Sequence, residues 1–146
     1  MHDAKKNDEL LNKIYRNAHI ALQSISNVMP EVAEGPIKKE LSDQYDGYEK
    51  IIGEISTEMA RVGAEPKDIG VMKKTMLWSS IKMKTLADNS QNHIADMMLQ
   101  GTIMGITELL TIKSENDGQM QEGTANLVNK LLELEESYEE KLKTYL

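Results

Sequence analysis

The chain of 146 residues is long enough for one domain with a real core, and at 40% hydrophobic and 28% charged it has the composition of an ordinary globular protein. Its formal net charge of −7 argues against nucleic-acid binding, and the absence of Cys excludes disulfides, thiolate metal sites and cysteine nucleophiles. No Phe, one Trp and three Pro leave little material for strands or loops, whereas Leu, Ile, Met, Lys, Glu and Ala, mostly helix formers, abound.

The polar start MHDAKKNDELLNKIYRN lacks the apolar core of a secretion signal. No window reaches the ~18 uninterrupted apolar residues of a membrane span, so a cytoplasmic protein is expected. A first helix is expected over residues 7–29. Leu11, Ile14, Ala18, Ala21, Ile25 and Val28 alternate spacings of three and four, the seam of helices packed nearly in line. Pro30 stops it, because proline disfavours helical geometry in the residue before it. A second helix starts at Gly35-Pro36, where the missing proline N–H is harmless. Leu41, Tyr45, Tyr48, Ile52, Ile55, Met59 and Val62 form its seam, and Gly63 ends it. Matching seams on a short connection predict an antiparallel hairpin.

Residues 67–87 read as a shorter helix with Ile69, Met72, Met76 and Met83 on one stripe. At 1.5 Å per residue it would span ~30 Å, about the length of the bundle. It is also the one basic stretch of an acidic chain. Lys73, Lys74 and Lys82 surround Trp78, a surface for self-association or for a protein partner, and less so for an anionic membrane. Asp88 with Gln91 fits a capping box.

Residues 90–112, SQNHIADMMLQGTIMGITELLTI, are the most apolar long segment. His93, Asp96, Gln100, Thr107, Thr111 and Ser114 share one narrow arc, so the helix is expected to be buried on most sides. Gly101 and Gly105, four apart, predict close approach of another helix or of a bulky side chain such as Tyr48. Two glycines each cost ~1 kcal/mol against Ala in a helix, which implies a packing need. A polar turn over 114–123 precedes a last helix over 124–145. This one carries Leu127, Leu131, Leu134, Tyr138 and Leu142 inward and an acidic outer face. Ten methionines suit an adaptable core better than a copper site without Cys.

The expected architecture is all-α: a single domain of four long helices, with the 67–87 helix carried in a long crossover between the second and third. An up-down bundle with a fifth packed helix is the alternative. The heptad helices, the connection of bundle length, the run MMLQGTIMG and the ending LELEESYEEKLKTYL together resemble the ferritin-like superfamily, including its rubrerythrin-type members. The resemblance covers nearly the whole chain as pattern rather than identity. It implies a dinuclear iron or manganese centre held by inward carboxylates and histidines. Where the family carries ExxH on the final helix, this chain has Glu135-Glu136-Ser137-Tyr138. The matching place on the second helix reads Gln44-Tyr45-Asp46-Gly47. The first-helix glutamate position falls near Tyr15 or Ala18, and the central one at Gln100 or Gly101.

Of three histidines, His2 is in the tail, His19 lies beside the first seam and His93 sits on the polar arc. Glu108 and Glu135 are the candidate inward carboxylates. Glu108 reads as an edge residue with a wet head, or, if buried, as a partner of Arg16 or Tyr15. The tyrosines read as core-edge residues with wet hydroxyls. The other arrangement has Tyr48, Tyr138 and Glu135 meeting as a hydrogen-bonded plug where a metal would have been.

The expected function is therefore that of a non-catalytic bundle without cofactor, a structural, scaffolding or regulatory protein acting through homo-oligomerisation or partner binding. The alternative is an atypical metal-binding protein or oxidoreductase using Glu108, Glu135, Tyr138, His19 and Asp46 with iron or manganese. A third reading is a small-ligand pocket beside Gly101.

Overall fold

The computed structural model describes residues 4–67 and 90–146. The helix expected over 67–87 lies, beyond Lys67, outside the described residues, and with it Lys73, Lys74, Trp78, Lys82 and the Asp88 cap. The described residues form four long helices and no strand: α1 (Ala4–Val28), α2 (Pro36–Val62), α3 (Gln91–Glu115) and α4 (Glu122–Lys143). A single 3-10 turn, Met29–Glu31, follows α1.

The termini follow from local chemistry. Pro30 falls within the 3-10 turn and Val32 returns to extended geometry. Gly63 caps α2 with φ +76°, a left-handed conformation that costs glycine nothing, while Ala64 N–H reaches back to Met59 O at 2.8 Å. On α3, Asn116 folds back and its side-chain amide donates to Ile112 O at 2.9 Å. It is a second donor to that carbonyl, which also accepts the Asn116 backbone N–H at 3.2 Å.

Helix directions can be read from contacts. Lys130 of α4 pairs with Glu54 of α2, Tyr48 meets Glu135, and Tyr145 O–H reaches Pro36 O at 3.5 Å. α4 is thus antiparallel to α2. It is also antiparallel to α3, to which a short turn joins it, so α2 and α3 run parallel. The end of α2 and the start of α3 therefore lie at opposite ends of the bundle, separated by the ~40 Å length of α2. The chain leaving α2 is pinned across α1. Asn12 donates to Glu65 O at 3.2 Å and accepts from Lys67 N–H at 2.7 Å.

The core runs along the inner faces of all four helices. Leu10, Leu11 and Ile14 of α1, Leu41 and Ile55 of α2, Ile94 and Leu109 of α3, and Leu131 and Leu142 of α4 are fully buried. Helices pack more extensively within the hairpins α1–α2 and α3–α4 than across them.

The expectation that α3 is buried on most sides is overturned. Gly101, Ile103, Met104 and Leu110 are exposed, Met104 at 68%. Its buried set, Ile94, Ala95, Met98, Leu99, Ile106, Leu109 and Ile112, occupies one face of a corner helix. The polar arc continues outward into apolar residues on both flanks. High apolar content without strong periodicity imitates a central helix when read from the chain alone.

Candidate functional site

Near the middle of the bundle a carboxyl is enclosed by residues from four helices. Glu135 of α4 is 1% exposed. Its Oε2 accepts from the Tyr48 hydroxyl of α2 at 3.4 Å, and its Oε1 has no hydrogen-bond partner among the described residues. The carboxyl lies flat against Gly105 of α3. A β-carbon built there would sit 2.6 Å from Oε1, so glycine is the residue that admits the acid. From α1, the amide of Asn17 donates to Gly105 O at 3.1 Å and to Glu108 Oε1 at 2.8 Å. Arg16, one residue earlier, comes to 3.7 Å from the other Glu108 oxygen at the rim. Glu135 thus sits on Gly105 of α3, and Glu108 of that same helix is near enough for its charge to act on the Glu135 carboxyl.

Tyr138 completes the group. Its ring stands edge-on to Tyr48, with centroids 5.4 Å apart. Its hydroxyl occupies the place a side chain at position 47 would take, which explains Gly47 in the interior of α2.

Burial sets the electrostatics. Loss of water raises the Glu135 carboxyl to about 8; the Tyr48 hydrogen bond opposes the rise and the negative charge of Glu108 adds to it. Glu135 is therefore mostly protonated at neutral pH. Burial also pushes the Tyr48 phenol well above its usual value, helped by Glu135 and Tyr138. Burial, with Glu40, Asp43 and Asp46 beyond it, raises Tyr138 to about 12.

The placements amend several expectations. Glu135, Tyr48, Tyr138 and Glu108 come together. Tyr48 and Tyr138 are buried at 2% and 5% exposure; the Tyr48 hydroxyl is held by Glu135, whereas the Tyr138 hydroxyl lies toward Glu40, Asp43 and Asp46. His19 stands apart from the group: two positions from Asn17 on α1, it points roughly 200° away round the helix. It packs edge-on against Tyr15 at 4.5 Å, and burial lowers its pKa. Asp46 is exposed and outside the buried group, its charge acting on Tyr138. Gly101 does not mediate close packing, because a β-carbon there would meet no atom within 4 Å among the described residues. The close approach is at Gly105, and what approaches is the Glu135 carboxyl rather than Tyr48.

Asn17 and Gly47 were not anticipated. Asn17 falls three after Ile14 and one before Ala18, on the buried flank of the α1 seam, and a polar residue at such a position is the available signal. Asn17→Ala should cost about 1–2 kcal/mol, because Glu108 and Gly105 O lose a buried donor. Urea denaturation at pH 7 would show this, and an unchanged midpoint would mean the bridge between α1 and α3 carries no stability.

The donor set does not fit a dinuclear iron or manganese centre. Such a centre needs several carboxylates and imidazoles converging in the core. Here one buried carboxyl is engaged by a phenol and seated on a glycine, the second is tied to Asn17 and Arg16, and the nearest imidazole faces elsewhere. Among the described residues no group of three His, Asp or Glu is placed to hold a metal ion. No described helix is long and apolar enough to cross a membrane. Comparison of the chain with protein-family models, with curated proteins and with solved structures finds no match.

Proposed function

We propose that the chain is a ferritin-like helical bundle that performs no dinuclear metal chemistry and works by self-association through α3, as a structural or regulatory component. Two antiparallel hairpins joined so that α2 and α3 run parallel is the one-crossover arrangement of that superfamily, and this supports the ferritin-like part of the reading.

The observation that carries the association is the outward face of α3. From Met97 to Thr111 its exposed residues are Gln100, Gly101, Ile103, Met104, Thr107, Leu110 and Thr111, without a charge among them. The Thr107 and Thr111 hydroxyls donate to carbonyls of their own helix, Ile103 O and Thr107 O, both at 2.9 Å. Their methyl groups are left to face outward. On a chain of net charge −7, an uncharged face is where a second copy can approach without like-charge repulsion.

A mass-resolved measurement of assembly state, with metal content read on the same sample, tests the proposal. The expected result is a dimer or larger species with little bound metal. Replacing Ile103 and Leu110 together by Glu should convert it to monomer with helix content intact. A monomeric parent protein, or two iron or manganese ions per chain, would overturn the reading.

A further inference from the structure

The seam between the hairpins α1–α2 and α3–α4 is held in its interior at one level. Asn17 crosses it to Gly105 and Glu108, and Tyr48 crosses it to Glu135. The other polar links across it among the described residues, Arg16 to Glu108, Lys130 to Glu54 and Tyr145 to Pro36 O, lie at the rim or are exposed. The fastening is therefore made of the buried Glu135 carboxyl, the Glu108 carboxyl at the rim, a phenol and an amide.

We infer that this fastening is a proton-operated latch: the hairpins stay closed at mid-length while Glu135 holds its proton, and loss of that proton parts the seam there with each hairpin intact. An unpaired charge in a core is costly, and it must be met by a counter-charge, by hydrogen bonds or by water. None of the four helices brings a free counter-charge to Glu135. From α1 come Asn17, which is neutral, and Arg16, which is engaged by Glu108. From α2 comes Tyr48, with one long hydrogen bond. From α3 comes Glu108, a like charge. On α4 itself Tyr138 faces Glu40, Asp43 and Asp46 on its far side, and Lys141 stands over its ring at 5.9 Å.

Two polar atoms at this level, Glu135 Oε1 and Asn17 Oδ1, already have no hydrogen-bond partner among the described residues. Among the described residues a second negative charge beside Glu108 meets no counter-charge, and water entering between the hairpins is what relieves it. Each helix pair across the seam packs less extensively than the pair within a hairpin, so the seam is the part that yields. The Glu135 carboxyl titrates at about 8, whereas the Tyr48 phenol stays protonated far beyond that, so the two events are separated in pH.

The test uses the full chain, from about pH 6 to about pH 10. Infrared difference spectra follow the protonated-carboxyl band, while binding of a dye specific for exposed apolar surface follows the seam in the same samples. The band should disappear with a midpoint near pH 8 and dye binding should rise several-fold with the same midpoint, helix content being retained. Glu135→Gln should lack the titrating band and show no rise. Glu108→Gln removes the like charge, so band loss and dye binding should move together to lower pH, which keeps the test decisive even if the first variant folds poorly. Dye binding in Glu135→Gln matching the parent, or a dye midpoint that does not follow the band in Glu108→Gln, would overturn the latch.

Discussion

Glu135→Gln is expected to stabilise the protein at pH 8 by roughly 2–4 kcal/mol and to remove most of its loss of stability between pH 5 and pH 8. Native Glu135 titrates at about 8, against 4.5 for an unperturbed glutamate. Between those values the folded state keeps a proton that the unfolded chain has released, so stability falls as pH rises. Relative to the alkaline limit, the stabilisation from the bound proton is complete below pH 4.5 and is lost on passing about 8. Glutamine presents the same oxygen to Tyr48 without a charge at any pH. The pairing of Glu58 with Arg61 acts in the opposite direction, being lost as pH falls, but it is at the surface and screened. Urea midpoints measured across this range decide the matter, and a variant whose curve runs parallel to the parent's would remove Glu135 as the cause.

Gly47→Ala is expected to destabilise by about 1–2 kcal/mol, although alanine is the better helix former. The added methyl falls on the Tyr138 hydroxyl, far inside contact distance. Overpacking of this kind costs about 1–3 kcal/mol, against a gain of ~1 kcal/mol in helix propensity. Tyr138 cannot swing away freely, because its ring is set against Tyr48, which holds Glu135. Tyr138→Phe removes the oxygen that clashes. In the double variant most of the penalty should be lost, the ring carbon Cζ remaining as the nearest neighbour at 3.2 Å. A double-mutant cycle measures the interaction, and additive effects would mean that the hydroxyl is not what glycine accommodates.

Much of the helical layout was legible in the chain. The three-and-four spacing of Leu11, Ile14, Ala18, Ile25 and Val28 predicts α1, and Pro30, Pro36 and Gly63 place the ends of α1 and α2 within a few residues. α3 was misread for a physical reason. Ile103, Met104 and Leu110 look like core to any count of apolar residues, and only the packed structure shows them facing outward. The site was half legible. The position of Glu135 and Tyr138 three apart on an amphipathic helix marks them as a pair, and Tyr48 lies on the α2 seam. What joins them is tertiary: a glycine on α3 seating a carboxyl from α4, and an asparagine on α1 reaching across. Spacing along one helix carries no trace of such contacts. Between Gly101 and Gly105, identical in local sequence terms, only the opposing helix decides which one is needed.

The division into two hairpins also bears on the route by which the chain folds. Within α1–α2 and α3–α4 the contacting residues are close in sequence, so each pair can form with little loop-closure cost. Contacts between the pairs join residues as far apart as Asn17 and Glu108, 91 positions along the chain. Two fast local condensations followed by a slower docking is the order this predicts. Substitutions at Leu11 or Leu131 would then change the folding rate, whereas Asn17 and Gly105 would act chiefly on the rate of unfolding.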